Sequence, residues 1–340
     1  MDTRRLPIYL LIDCSESMAG AAIDAVNLGL QTLLGELRSN PLALDNAALS
    51  VIAFSGKAEQ IVPLTDLTVF QMPRLSIRPG TSLGAALRLL SDSLRREVNR
   101  TTATTKGDYR PLVFLLTDGQ PTDDWRAGVQ ALTEPGMVHP ANIYAIGCGP
   151  DVDTEILREI TDIVFTIPEL SSATIKKFFM WLSASVQTAS VKVGTGEDGT
   201  GRDKLASLPP EIQEATPGQR YRDYGVPRQV FLHSRCSMVK KPYLMRYVYF
   251  PQYEVYQPVA AHPLDELETG EAALLPPINS SLLNGAPACP YCENPAAAMC
   301  PCGTLFCAPE MEQGPVVCPG CGITLTGSNT GTFDIQRTEG

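Results

Sequence analysis

Two stretches of this chain run to an acid without meeting a charge: PIYLLID at residues 7–13 and PLVFLLTD at residues 111–118. Neither alternates apolar with polar, so each fits a strand buried on both faces. IYAIGCG, residues 143–149, is a shorter third run, and ALSVIAFSGKAEQIVPL, residues 48–64, reads as a hairpin turning at Ser55-Gly56. Between these runs the apolar period lengthens to that of a helix. Ile23, Val26, Leu30, Leu33, Leu34 and Leu37 share one face, as do Leu83, Leu87, Leu90 and Leu94. DTEILREI and SSATIKKFFMWLSASV predict two further helices, the second starting at a serine cap. Strands alternating with helices over residues 1–190 predict an α/β domain with a doubly wound, mostly parallel sheet of Rossmann-like type. Ligands of such sheets bind beyond the carboxyl ends of the strands, where Asp13 and Asp118 stand.

After Val193 the texture changes. GTGEDGTGRDKLASLPPEIQEATPGQ has no apolar period, and residues 191–220 read as a flexible linker. Gly194, Gly196 and Gly199 spell G-x-G-x-x-G there, but behind a helix rather than a strand and without a Gly-Lys-Ser/Thr ending, so no phosphate loop is expected. RQVFLH and LMRYVYF regain strand character. They open a β segment and cysteine-rich region over residues 221–326, with 327–340 left as a tail. The net charge of −10 argues against a general nucleic-acid binder. No run reaches the ~18 apolar residues of a membrane helix. The apolar run behind Arg4 and Arg5 stops at Asp13, too early for a secretory leader, so a soluble, cytoplasmic protein is expected.

The first candidate site gathers oxygens. Asp13 is followed by Ser15 and Ser17; Thr81 lies in the loop RPGTSLG ahead of a helix; Asp118 ends the second long run. A hard cation such as Mg²⁺ takes about six oxygens at ~2.1 Å, and three loops at one sheet edge can supply five. Such residues also cap helices and build turns, but the ordered set at successive strand ends favours a metal. Hydrolysis would need a base near the cation. His139, the one histidine of this region, sits in MVHPANIY, entering a strand, and reads as structural.

The pattern D-x-S-x-S, a Gly-Thr loop and T-D-G resembles the metal-ion-dependent adhesion site of von Willebrand factor A domains over roughly the first 190 residues. The resemblance implies that Ser15, Ser17 and Thr81 touch Mg²⁺ (or Mn²⁺) directly and that Asp13 and Asp118 act through water and hydrogen bonds. A cation so held keeps much of its charge and favours an anionic oxygen from a partner.

The second candidate site gathers sulfur. Seven of the ten cysteines lie between Cys289 and Cys321. Cys289/Cys292 and Cys318/Cys321 are C-x-x-C pairs flanking Cys300, Cys302 and Cys307, a pattern suited to tetrahedral Zn²⁺. Without a secretion signal, disulfides are the lesser reading. An interleaved arrangement gives Cys289, Cys292 and Cys307 one ion and Cys300, Cys302, Cys318 and Cys321 another, with Glu310 placed to complete the short set; one or two ions remain open. Cys14, Cys148 and Cys236 read as small packing residues. No Lys or Arg falls between Gly285 and Thr326, so this region does not bind phosphate backbones. Upstream, Arg220, Arg222, Arg228, Arg235, Lys240, Lys241 and Arg246 read first as a solvated face and second as a site for acidic or phosphorylated protein.

The whole arrangement, A domain first and cysteine cluster last, resembles the TerY-type family of the tellurite-resistance systems. That resemblance implies a non-enzymatic, Mg²⁺-dependent interaction or scaffold protein in a tellurite-resistance or stress-signalling module. It also implies work beside a Ser/Thr protein kinase and a PP2C-type phosphatase. Two other classes stay open: a thiol-based redox or metalloid sensor, and a metal-dependent phosphohydrolase.

Overall fold

The computed structural model describes residues 4–102, 104–117, 121–134, 137–149, 152–167, 171–194, 205–215, 227, 229–250, 252–264, 275–308, 315–325 and 331–338. The chain divides into two compact units, the first made mainly of residues up to 221 and the second of those after it.

In the first unit β1 (Leu6–Asp13), β2 (Ala47–Phe54), β3 (Ala58–Asp66), β4 (Leu112–Thr117), β5 (Asn142–Cys148), β6 (Val164–Ile167) and β7 (Gln213–Glu214) form one sheet in the order β3-β2-β1-β4-β5-β6-β7. The five central strands are parallel, while β3 and β7 run antiparallel at the edges. Every residue of β1, β2 and β4 is buried, as their unbroken apolar runs predict. The helices are α1 (Ala21–Ser39), α2 (Pro41–Asn46), α3 (Leu83–Glu97), α4 (Trp125–Thr133), α5 (Thr154–Ile160) and α6 (Ser172–Gly194).

Period-two alternation sends Tyr9, Leu11, Val113 and Leu115 to one face, against the leucine stripe of α3 and Trp125 of α4. On the other face Phe114 meets Trp181 of α6 edge-on, with ring centroids 6.4 Å apart. Gly29 lets α1 close on α6: a Cβ there would fall 2.0 Å from the ring of Phe179. The chain leaves β1 for β2 on one side and returns to β4 on the other. The switch point of the doubly wound sheet therefore lies between the carboxyl ends of β1 and β4.

Two boundaries differ from the sequence reading. The expected linker is partly built into the first unit. Trp181 donates its indole N–H to the Ala206 carbonyl (3.0 Å), Ile212 and Ala215 are buried, and β7 pairs with β6. Its apolar anchors are too sparse to show a period, and Trp181 and the open edge of β6 supply the order instead. The expected tail is also structured between residues 331 and 338. There β16 (Asp334–Ile335) pairs with β11 (Ile278–Asn279), and Ile335 is 5% exposed.

The second unit is β-rich. Its main sheet runs β10-β9-β8-β13-β12, from β8 (Gln229–Arg235), β9 (Pro242–Phe250), β10 (Val255–Pro263), β12 (Ala297–Met299) and β13 (Leu305–Cys307). A small hairpin, β14 (Val316–Val317) with β15 (Thr324–Leu325), stands apart from it. The core joins Val230, Leu232, Tyr243, Met245 and Tyr247 to three cysteines, Cys236, Cys289 and Cys307.

Candidate metal centres

At the switch point Asp13 ends β1 completely buried. Its Oδ1 accepts the Ser15 backbone N–H (2.8 Å) and its Oδ2 accepts the Thr117 hydroxyl (2.6 Å) across the gap between β1 and β4. The chain then makes a 3-10 turn over Glu16–Met18, which brings the Ser15 and Ser17 hydroxyl oxygens 2.9 Å apart. Two oxygens at right angles around a cation, each ~2.1 Å from it, stand about 3.0 Å apart. The hydroxyl pair fits one edge of such an octahedron.

Thr81 is buried in the loop before α3. That loop is tied to the segment following β4: the Thr122 N–H donates to the Thr81 carbonyl (2.9 Å) and the Thr81 N–H to Thr122 Oγ1 (3.2 Å). Asp123 accepts the Gly84 and Ala85 N–H groups, both at 2.8 Å, and so caps α3 from outside its own helix. From the hairpin side, Ser55 and Gly56 carbonyls accept the Ser82 N–H (2.6 Å) and hydroxyl (2.8 Å). Thr81 is thus positioned by two neighbouring loops. Asp118 falls outside the described residues. The roles of Thr117, Thr122 and Asp123 escaped the sequence reading; the one hint is the density of hydroxyls and acids in LLTDGQPTDD. His139 is exposed, just ahead of β5. It lies at the amino edge of the sheet, ~20 Å of strand from the switch point.

The second unit brings eight sulfurs into two groups of four, Cys236, Cys289, Cys292 and Cys307, then Cys300, Cys302, Cys318 and Cys321. Within each group all sulfurs lie within 4.8 Å of one another. Neighbouring sulfurs are 3.5 Å (Cys292–Cys307), 3.6 Å (Cys300–Cys321) and 3.8 Å (Cys302–Cys318) apart. Tetrahedral Zn²⁺ with Zn–S of ~2.3 Å spaces its sulfurs about 3.8 Å apart, so both donor sets fit that ion.

The member missed in the sequence is Cys236, read there as a packing residue. The structure corrects this, because Cys236 heads a turn built like the other sulfur turns. Its N–H donates to the carbonyl of Lys241 and its carbonyl accepts from Lys240; Cys289 does the same with Asn294 and Glu293, and Cys318 with Ile323 and Gly322. The fourth residue after the cysteine takes positive φ in each: Lys240 58°, Glu293 60°, Gly322 78°. In the Cys236 turn the second cysteine of the C-x-x-C pattern is replaced by Val239, so no motif is spelled. The Cys300 turn is one residue tighter, closing on Gly303 and Thr304, which suits C-x-C spacing. Glu310, the candidate eighth ligand, lies outside the described residues, and Cys236 occupies that role in the first group.

Interleaving follows from one hairpin. β12 and β13 are joined by the Cys300–Thr304 turn, so Cys300 and Cys302 sit at its tip and Cys307 at its base. In β13 Leu305 and Cys307 face the main core while Phe306 faces a small cluster with Cys300 and Cys318.

The sulfurs tune one another. Burial pushes the Cys289 thiol up to about 12. Cys302 is pulled down to about 6, first by the Thr304 hydroxyl, then by the Thr304 N–H and the Cys300 thiol. Burial also penalises the Cys236 thiolate, but the Val239 and Met238 N–H groups and the Cys292 and Cys289 thiols outweigh it and hold that thiol below its usual range. A divalent cation would take over this work in both groups by displacing the protons. Cys14 and Cys148 are buried in the first unit, consistent with packing. Of the basic stretch, Arg246 donates to Gln229 Oε1 (2.9 Å) and Arg235 to the Lys240 carbonyl (3.3 Å); Arg220, Arg222 and Arg228 lie outside the described residues.

Sequence profiles match both units: the von Willebrand factor type A domain over residues 8–179 and the TerY-C metal binding domain over residues 227–340. Among solved structures, the pilus adhesin SpaC from Lactobacillus rhamnosus GG is 15% identical with a TM-score of 0.43, over 55% of this chain and 31% of that one. A von Willebrand factor type A protein from Catenulispora acidiphila is 19% identical with a TM-score of 0.41, over 55% and 43%. Proximal thread matrix protein 1 from the mussel byssus, solved with a zinc-occupied MIDAS motif, is 17% identical with a TM-score of 0.39, over 54% and 48%. The present chain thus spans less than half the length of each.

Proposed function

Because this chain belongs to the von Willebrand factor type A family and ends in a TerY-C metal binding domain, as TerY-like proteins do, we propose that it is a non-enzymatic, Mg²⁺-dependent interaction protein. It would serve as a scaffold in a tellurite-resistance or stress-signalling module. Its first unit would offer a cation to an acidic or phosphorylated partner, and its second would be folded around two zinc ions. A Ser/Thr protein kinase and a PP2C-type phosphatase are the partners proposed.

One observation carries the reading. Asp13 has both carboxylate oxygens engaged by hydrogen bonds from the protein while two uncharged hydroxyls stand 2.9 Å apart beside it. A cation resting on Ser15, Ser17 and Thr81 would be held by neutral oxygens, with Asp13 one layer behind. Its charge would be only partly balanced, and an anionic oxygen from outside would complete it. The two sulfur groups support zinc because four thiolates suit that ion and suit Mg²⁺ poorly. No described helix is long and apolar enough to cross a membrane.

The test has two arms. Titration with Mn²⁺, followed by its electron paramagnetic resonance, should show one site in the wild type and none in the Asp13→Ala variant. Pull-downs against the proposed kinase and phosphatase should recover partner with Mg²⁺ present and lose it with the variant or with chelator. Equal recovery under all three conditions would remove the metal-bridged interface.

A further inference from the structure

The two sulfur groups differ in what can reach them. Cys236, Cys289 and Cys307 are buried within the main core of the second unit, and Cys292 is only partly exposed. In the other group Cys302 and Cys321 are exposed while Cys300 and Cys318 are buried. A cleft of about 620 Å³ opens beside the exposed pair, lined by His233, Arg235, Cys302, Thr304, Pro319 and Cys321. Each exposed sulfur also has its own buried neighbour on the opposite turn: Cys302 lies 3.8 Å from Cys318, and Cys321 lies 3.6 Å from Cys300.

We infer that the Cys300–Cys302–Cys318–Cys321 group is an oxidant-sensitive metal site, at which a hydroperoxide exchanges the ion for a disulfide joining the two turns. The inference rests on the zinc assignment made above. A hydroperoxide entering the cleft meets Cys302 or Cys321 first. An S–O bond forms at that thiolate as the O–O bond breaks, and with hydrogen peroxide the departing oxygen leaves as hydroxide. The buried partner's thiolate then attacks the new sulfenic acid; the S–S bond forms and a second hydroxide leaves. Two sulfurs have given up two electrons, one peroxide has become two hydroxides, and the ion keeps only two of its four ligands and departs.

Geometry makes the step local. A disulfide needs S–S of about 2.05 Å, so each pair closes by less than the width of one atom, through side-chain movement. Either product, Cys302–Cys318 or Cys300–Cys321, ties the same two turns that the ion tied. Thiol reduction in the presence of zinc restores the original state. The core group offers no cysteine as open as Cys302 or Cys321, only the partly exposed Cys292, and its ion stays.

The experiment uses the full chain loaded with zinc and treated with equimolar, then excess, hydrogen peroxide. Released zinc is read with a chromophoric chelator, and disulfides are mapped by mass spectrometry. One of two zinc ions should be lost, with Cys302–Cys318 or Cys300–Cys321 bonds formed and the loss reversed by dithiothreitol plus zinc. Bonds within a turn (Cys300–Cys302 or Cys318–Cys321), sulfinic acids in place of disulfides, joint release of both ions, or no release would each overturn the inference. A preparation holding fewer than two zinc ions before peroxide is added would overturn the metal assignment instead, which separates the two failures.

Discussion

In the first unit the oxygens that would meet a cation sit on a core complete without it. Leu10, Leu11, Ile52 and Leu115 are at most 2% exposed, and α1 and α3 cover both faces of their sheet. In the second unit the sulfurs are themselves core: Cys236, Cys289 and Cys307 pack among Leu232, Tyr243 and Met245. On the proposed reading, a cation at the oxygen site would be added to a finished fold, whereas ions in the sulfur groups would finish one. The difference goes with strand length. The first unit is built on continuous apolar strands, whereas in the second the strands around the sulfur groups, β12 to β15, are only two or three residues long.

The harshest way to break this comparison is to strip all metal with a strong chelator. Structural zinc supplies on the order of 10 kcal/mol or more of folding free energy in small domains. Amide protection should therefore collapse in β8, β9 and β13 and persist in β1, β4 and β5, as read by hydrogen-exchange mass spectrometry. Protection surviving in β8 and β9 would show that the second unit folds on its apolar core alone.

A finer cut separates the two sulfur groups. Cys307→Ser removes a fully buried ligand at the join between β13 and β8, and Cys302→Ser an exposed one at the hairpin tip. Each should lower bound zinc from two ions to one. Only Cys307→Ser should also cost protection in β8 and β9, while Cys302→Ser should loosen the β14–β15 hairpin and little else. Similar exchange in the two variants would mean that the groups are one cooperative structure.

The same contrast explains what could be read before the structure. The fold of the first unit was legible because buried parallel strands write themselves as charge-free runs, and α1 and α3 as clean leucine stripes. α2 and α4, a single short turn-rich helix and one with only Trp125, Gly128 and Leu132 inside, leave too little period to find. Ser15, Ser17 and Thr81 stand out in the sequence as a pattern of types, and their role as cation ligands belongs to the proposal. The residues holding them do not stand out, because Thr117, Thr122 and Asp123 act through contacts between loops that no local spacing encodes. Cys236 is the sharpest case. Its turn matches that of Cys289 bond for bond, yet it lies 53 residues from its nearest partner in the chain, and Val239 stands where a second cysteine would have announced it.

Asp13→Ala tests the other half of the comparison. It leaves the Ser15 N–H and the Thr117 hydroxyl without their acceptor in a buried place. The cost should be about 3 kcal/mol, seen as a lower urea midpoint with unchanged slope. The first unit should still fold, and Mn²⁺ binding should vanish. Loss of the fold on this change would place the oxygen site in the same class as the sulfur groups.

The mildest test concerns Thr117 alone, whose hydroxyl reaches Asp13 across the switch point at 2.6 Å. Thr117→Val keeps the volume and the β-branched shape that suit a buried strand but removes the donor. Thr117→Ser keeps the donor and loses a methyl group. If the hydroxyl orients Asp13 for the cation, Val should weaken Mn²⁺ binding by roughly tenfold, the usual effect of losing a group that positions a ligand, and Ser should retain it. Stability should rank the other way: Ser loses about 1 kcal/mol of buried methyl, while Val regains in apolar packing part of what the hydrogen bond gave. Affinity following packing rather than the hydroxyl would mean that Asp13 is held by β1 and the Ser15 N–H alone, and that the two strands need not communicate for the cation to bind.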